Sequence, residues 1–439
     1  MFRISLLWVR VINPAQPTGP HTQLIPMAQI PAPVPLYPLS DDLATLNLAD
    51  YPELSQFLTS GPGWWRCHWS WGQEFLSYIG RNKSAHTFLR FRTETERFLL
   101  WAFLIKQQPV DQLKKADILQ YADFCWAPPA NWICVGNYEN YLFNNGAFCI
   151  NPAWAPFKLK PTKHAPNDTV ADKKKYVPSQ QTLVATFTAL IAFYKFLMVE
   201  EYASGNPAQI AKSDCRHFIK DAQVSDVKRL SAQQWDCVLQ TVTQMADEDS
   251  LYERSLFVIA ALKTLFLRIS ELSERPRWVP IMGHFWQDSS GNWWLKIFGK
   301  GRKIRDITVP PSFMDYLKRY RRFRGLSPLP SPGEPQPLVE KIRGRGGMTA
   351  RHLMRIVQEV FDRSYEQMRI KAGDDNAYKL KEASSHWLRH TGASMEIERG
   401  RALKDLSEDL GHASMATTDA IYVQTEHRLR AQSGRERKV

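Results

Sequence analysis

Apolar residues return at helical spacing through most of this chain. Across 182–201, Leu183, Val184, Phe187, Leu190, Ile191, Tyr194, Leu197 and Met198 recur at intervals of three and four, one side of a helix. Pro207 stops any continuation beyond Gly205-Asn206. Across 86–106, Phe88, Phe91, Phe98, Trp101, Leu104 and Ile105 predict an amphipathic helix with Arg90, Arg92 and Arg97 on a basic outer face. A further helix is expected over 110–124, with Leu113, Ile118, Leu119 and Tyr121 inward. The tryptophans at 64, 65, 69 and 71 read as core packing in preference to stacking on bases. Helices follow over 232–246 and 251–267, the second apolar on most faces and therefore buried. The period then changes. Residues 293–310 carry two runs of aromatic and β-branched residues around Gly299 and Gly301, a β-hairpin. Helices resume over 314–324, 349–363 and 402–410, the last burying Leu403, Leu406 and Leu410 and ending at Gly411. The fold class is mainly α with a small antiparallel β-hairpin or sheet.

Between the helical stretches the pattern fails in two places. Residues 1–60 are rich in proline and read as a disordered extension; Met27 is an alternative start. Residues 126–180 hold Pro128, Pro129, Asn144-Asn145-Gly146, Pro152, Pro156, Pro161, Pro166 and Pro178, which exclude long helices. With Lys158, Lys160, Lys163 and Lys173 to Lys175, this segment is either a solvated insertion or a loop against a polyanion. The division expected is a helical domain over 61–215 with the insertion 126–180, a basic linker 216–230, a second domain 231–429 and a basic tail 430–439.

The 439 residues carry a net charge of +13 and are 44% hydrophobic, so a polyanionic partner is plausible and large cores are affordable in length. No run approaches the roughly 20 apolar residues of a membrane helix. The opening MFRISLLWVRVI leads into PAQPTGP, which lacks a small-residue cleavage site and argues against a signal peptide. Six cysteines without a Cys-x-x-Cys pair argue against a zinc ribbon and fit reduced cytosolic thiols. No cofactor is implied.

The chemistry concentrates in 384–422. His386 and Arg389 lie three apart, on one face of a helix that Ser384 or Ser385 can cap. His390, His412 and Tyr422 follow. An arginine fork suits two oxygens of a phosphate, and histidines can hold or move a proton. A phenol, with a pKa of about 10, becomes a useful nucleophile among cationic donors. The set suits attack by tyrosine on a phosphodiester, with charge spreading over the non-bridging oxygens. His386 and His390 could also share a metal, but no third ligand is apparent in the sequence.

Three submotifs in order, His386-Trp387-Leu388-Arg389-His390, Leu410-Gly411-His412 and Tyr422, resemble the active-site signature of the tyrosine recombinases, or phage-type integrases. Tyr422 falls one residue later than is usual in that family. The resemblance extends to Arg268-Ile269-Ser270-Glu271-Leu272, which matches the family's first arginine motif, and to Gly299-Lys300-Gly301 at the hairpin. It implies a site-specific recombinase acting on double-stranded DNA, for a mobile element, through a 3′-phosphotyrosyl intermediate without metal or ATP. Tyr422 would be the nucleophile, with Arg268, Arg389, His386 and His412 around the phosphate. His386 either accepts the tyrosine proton or only hydrogen-bonds. Lys300 would protonate the leaving oxygen, with Lys303 as the alternative, and Glu271 would orient its neighbours. The resemblance further implies a core-binding (SAM-like) N-terminal domain, a catalytic domain, a homo-oligomer (a tetramer on two DNA sites) and accessory DNA-bending or directionality factors. DNA-backbone contacts are expected at Arg90, Arg92, Lys212, Arg216, Lys228, Arg229, Arg302 and Lys303. Two alternatives stand beside this: a type IB topoisomerase or hairpin telomere resolvase with the same chemistry, and a catalytically silent DNA-binding accessory protein.

Overall fold

The structure is a computed structural model that describes residues 10–11, 23–24, 30–39, 43–159, 172–218, 228–276, 278–299, 303–412 and 434–435. It divides into two compact units, residues 1–222 and 223–439. Both are mainly helical, as the periodicity predicts.

In the first unit the helices are Pro52–Ser60, Trp64–Asn82, Ala85–Trp101, Lys115–Trp126, Gln180–Val199 and Pro207–Asp214. Their starts follow local chemistry. The Ser84 and Ser179 hydroxyls accept the Thr87 and Thr182 N–H groups, and Asn206 caps Gln209 with Pro207 in the first turn. Trp65 and Trp69 are buried and Trp64 and Trp71 pack against the same core, so the tryptophan cluster is structural. Gln180–Val199 is long and apolar enough by length and composition to cross a membrane, contrary to the expectation that no run approaches that length. Its Leu183, Phe187, Leu190, Phe193, Tyr194 and Leu197 are all buried in this core, which accounts for the composition.

Three further expectations for this unit need correction. Arg92 and Arg97 do not lie on a basic outer face. Both are buried: Arg92 donates to Tyr37 O at 2.8 Å and pairs with Glu96 at 3.4 Å, and Arg97 donates to Pro156 O and Glu94. Glu96 in turn accepts the Leu36 and Tyr37 N–H groups at 2.8 and 3.2 Å. Burial pushes its carboxyl pKa up, against the opposing pull of Arg92. Helical spacing could not separate these arginines from surface ones, because Tyr37 O and Pro156 O, which help bury them, come from outside the helix. Second, part of the presumed disordered extension belongs to the core, since Leu36, Tyr37, Leu43, Tyr51, Leu54 and Leu58 are buried. Third, 126–180 is not a solvated insertion throughout. Ile133–Val135 pairs in parallel with Phe157–Leu159, Tyr141–Asn144 pairs antiparallel with Ala147–Ile150, and Trp132, Trp154 and Phe157 are buried.

The second unit is built around Glu253–Thr264, whose residues Arg254 to Leu262 are all buried. Ala232–Glu248, Pro311–Phe323, Ala350–Ala372 and Ser385–Glu398 pack on it. The expected hairpin is present as Trp293–Phe298 and Ile304–Val309, in register Phe298 to Ile304. Phe285–Gln287, not anticipated from the pattern, adds a third antiparallel strand. Asp374–Glu382 follows the 350–372 helix, and Leu403–Leu410 follows 385–398. Three arginines of the basic run near 320 are committed to protein. Arg321 is almost fully buried and forks onto Glu334 at 2.8 and 2.9 Å, Arg319 pairs with Glu253 and Asp247, and Arg324 pairs with Glu340.

Candidate active site

The Glu253–Thr264 helix ends in an unusual turn. Phe266, a bulky non-glycine residue, sits at φ 50°, a left-handed conformation that costs energy and turns its carbonyl inward. Arg268 comes two residues later and caps the short helix Ile269–Leu272. Glu271 closes back on it: Oε2 accepts the Arg268 N–H at 2.8 Å and Oε1 accepts Arg268 Nη1 at 3.1 Å.

Arg389 enters from Ser385–Glu398, whose N-cap is Ser384, although that hydroxyl makes no capping bond. The guanidinium is buried. Nη1 donates to Phe266 O and Nη2 to Leu410 O, each at 2.5 Å, and Nη2 lies 3.3 Å from His412 Nε2. The helix reaches this depth because Gly392 lies against Glu253–Thr264: a Cβ there would stand 1.9 Å from Lys263 O. Leu403–Leu410 ends at Gly411, φ 62°, the left-handed cap predicted for that position, and delivers His412 beside Arg389. Phe266, Ala393, Ile397, Leu406 and Leu410 form a small apolar cluster under these residues.

The pocket is strongly cationic. Burial, then Arg389, Arg268, Arg305 and His386, lower the His412 pKa to about 4. His390 falls to about 4 through burial, then His386, Arg389 and His412. His386, edge-to-face with His390 at 4.3 Å, is lowered by burial, then by Arg389 and Arg268. All three imidazoles are therefore neutral near pH 7, each with one donor and one acceptor nitrogen. For Glu271 burial alone would raise the pKa, but hydrogen bonds and charge from Arg305 and then Arg268 hold it below the usual value.

Residues 228–428 match the model of the Phage integrase family. That stretch of the chain carries the family's domain. Among curated relatives, tyrosine recombinase XerC of Vibrio parahaemolyticus is 25% identical over 254 residues, 57% of this chain and 70% of that protein. Tyrosine recombinase XerD of Rhizobium meliloti is 28% identical over 246 residues, 55% of this chain and 70% of that one. Among solved structures, the Tn1549 transposon integrase in complex with circular intermediate DNA aligns over 84% of this chain and 99% of its own, at 18% identity and a TM-score of 0.49.

The expected residues Arg268, Glu271, His386, Arg389 and His412 are joined by hydrogen bonds or act on the same imidazoles. Tyr422, Lys300 and Arg302 fall outside the described residues. Lys303 is exposed just before the strand Ile304–Val309, and its carbonyl accepts the Gly299 N–H at 2.8 Å. Of the expected DNA contacts, Lys228 is exposed and Lys212 half-buried. Arg90 pairs with Glu94, Arg216 with Asp123 and Arg229 with Glu398. Arg92, being buried, is not a surface contact. Among the described residues no group of three or more His, Cys, Asp or Glu side chains could hold a metal ion.

Sequence reasoning missed Arg305 and Asp409. Arg305 forks onto Glu271 at 2.8 and 3.0 Å and donates through Nε to Asp409 O at 3.0 Å. The buried Asp409 carboxylate receives Thr308 N–H and Oγ1 and Arg401. A signal was available: an aspartate in the last turn of a helix opposes the helix dipole, so it needs a cationic partner elsewhere.

Proposed function

We propose that this protein cuts and rejoins double-stranded DNA at specific sites, with Tyr422 as nucleophile and Arg268, Arg389, His386 and His412 as the phosphate-binding set. The observation that carries the reading is the junction of Arg389 and His412 at 3.3 Å, with Arg268 acting on the same imidazole. Such a group of donors suits a phosphodiester whose non-bridging oxygens gain charge as the tyrosine oxygen attacks. Tyr422 loses its proton as its oxygen bonds to phosphorus, and neutral His386 is an acceptor for that proton. The bond from phosphorus to the 5′-oxygen breaks, and Lys300 supplies the proton that makes the 5′-hydroxyl. A 5′-hydroxyl from a second duplex reverses the step. The phosphotyrosyl bond retains the energy of the original linkage, so neither ATP nor a metal enters the balance. The reading includes a mobile-element setting, a DNA-binding N-terminal unit, a tetramer on two sites and a cytoplasmic location.

The test is a nicked suicide substrate carrying the cognate site, found from repeats flanking the gene. Wild type should accumulate a covalent protein–DNA adduct and Tyr422→Phe should not. Equal trapping by both proteins would remove Tyr422 from the mechanism.

A further inference from the structure

Arg305 takes no part in the steps above, yet it touches more of the pocket than any of them requires. It lies on Ile304–Val309, opposite Ile297 in the ladder. Its two terminal nitrogens occupy both Glu271 oxygens, at 2.8 and 3.0 Å, and its Nε holds the Asp409 carbonyl at 3.0 Å. Each of those partners leads directly to a phosphate-directed group. The Glu271 oxygen bound by Arg305 Nη1 also receives Arg268 Nη1 at 3.1 Å. Asp409 immediately precedes Leu410, whose carbonyl receives Arg389 Nη2, and His412 follows two residues on.

The surroundings are shaped to this guanidinium. A Cβ at Gly299 would come 2.7 Å from Arg305 Nη1, and one at Gly411 would come 2.9 Å from its Cδ and Nε. Only a planar fork can serve two carboxylate oxygens and a carbonyl at once; a lysine ammonium in the same place is a single point of charge.

We propose that Arg305 is a positioning residue for DNA cleavage: it fixes Glu271 so that Arg268 presents one geometry to the phosphate, and fixes the end of Leu403–Leu410 so that His412 stays on Arg389. The hairpin, the first arginine motif and the Leu-Gly-His motif are thereby joined through one side chain. This rests on the reaction set out under Proposed function.

The experiment uses the full chain on the suicide substrate, in single turnover at saturating protein, with DNA affinity and thermal midpoint measured separately. Arg305→Lys keeps the charge and loses the fork. It should leave affinity and midpoint near wild type and slow adduct formation by about 10- to 100-fold, as expected for a displacement near 1 Å in the reacting set. Because Arg305 acts largely through Arg268, the same substitution in an Arg268→Ala background should cost only a few-fold. A purely structural loss would be the same in both backgrounds. An undiminished rate for Arg305→Lys, or an equal loss in both backgrounds, would overturn the assignment. Should Arg305→Lys not fold, Glu271→Gln breaks the same link from its other end and is read in the same cycle. Failure of wild type to form any adduct, or adduct formation by Tyr422→Phe, sinks the reaction itself, and the role of Arg305 in it falls as well.

Discussion

Gly392→Ala is the sharpest test of how Arg389 is held. A Cβ at this position would sit 1.9 Å from Lys263 O and 3.0 Å from Phe266 Cε1. A contact between carbon and oxygen below about 3 Å is repulsive, so Ser385–Glu398 and Glu253–Thr264 must part by about 1 Å or more. Arg389 lies one turn before Gly392, and its bond to Phe266 O at 2.5 Å spans the gap that would open. Two magnitudes follow. Overpacking costs about 1–3 kcal/mol, offset by about 1 kcal/mol for replacing glycine by alanine within a helix. The net loss, up to about 2 kcal/mol, lowers the midpoint of a unit this size by about 2–4 °C per kcal/mol. Cleavage should suffer more, by on the order of 100-fold, because a 1 Å error in the reacting set acts on the transition state.

The assay is thermal unfolding of the full chain, beside single-turnover cleavage at a temperature where both proteins are folded. Gly63→Ala, where nothing stands within 4 Å of the new Cβ, is the control for the glycine change itself. Full cleavage activity and an unchanged midpoint in Gly392→Ala would refute the close packing of these two helices and the route from it to Arg389.

Arg389→Lys should abolish measurable cleavage or cut it by on the order of 100-fold or more, since one ammonium cannot serve Phe266 O, Leu410 O and a phosphate together; a loss below about 3-fold in the suicide assay would contradict this. Stability should fall as pH drops from 6.5 towards 4, because the unfolded chain binds protons at His390 and His412 that the folded pocket, with both pKa values lowered to about 4, refuses. This contribution is complete above pH 6.5, and after allowance for solvent exposure it is about 1 kcal/mol per histidine. In urea titrations at pH 5 and 7, His390→Gln should therefore lose less stability on acidification than wild type, and an identical dependence would contradict it. Arg92→Met leaves Glu96 buried without its cation and should cost the first unit about 3–5 kcal/mol by urea unfolding, partly recovered by adding Glu96→Gln; a cost below about 1 kcal/mol would place Arg92 at the surface after all.

Much of this arrangement was legible in the chain. Period 3.6 gives the helices, the glycine-flanked aromatic run gives the hairpin, and Gly411 marks the left-handed end that delivers His412. Spacing within one helix sufficed to put His386 and Arg389 together. What spacing cannot give is the partner of a charge when that partner comes from far along the chain. Arg92 read as surface because Leu36, Tyr37 and Asn140, which build its burial site with Glu96, lie dozens of residues away. Arg305 went unnoticed for the same reason, its partners Glu271 and Asp409 lying in other elements. The 126–180 segment was misread because proline excludes helices but says nothing about whether Trp132 and Phe157 reach a core.

The same limit explains the electrostatics of the pocket. Among the described residues, Glu271 pairs with Arg268 and Arg305, and Asp409 pairs with Arg401. Both carboxylates are buried and already bound by arginine, so neither can neutralise an added proton on His386 or His412. The histidines stay neutral because a further cation there would be both desolvated and repelled. On the function proposed above, an incoming phosphodiester would change the sign of that argument, since it brings negative charge to a group of cations. Glu271 and Asp409 thus do not weaken the site for an anion. They spend their charge on orienting Arg268, Arg305 and Arg401, and leave the surplus of positive charge to be met by the substrate.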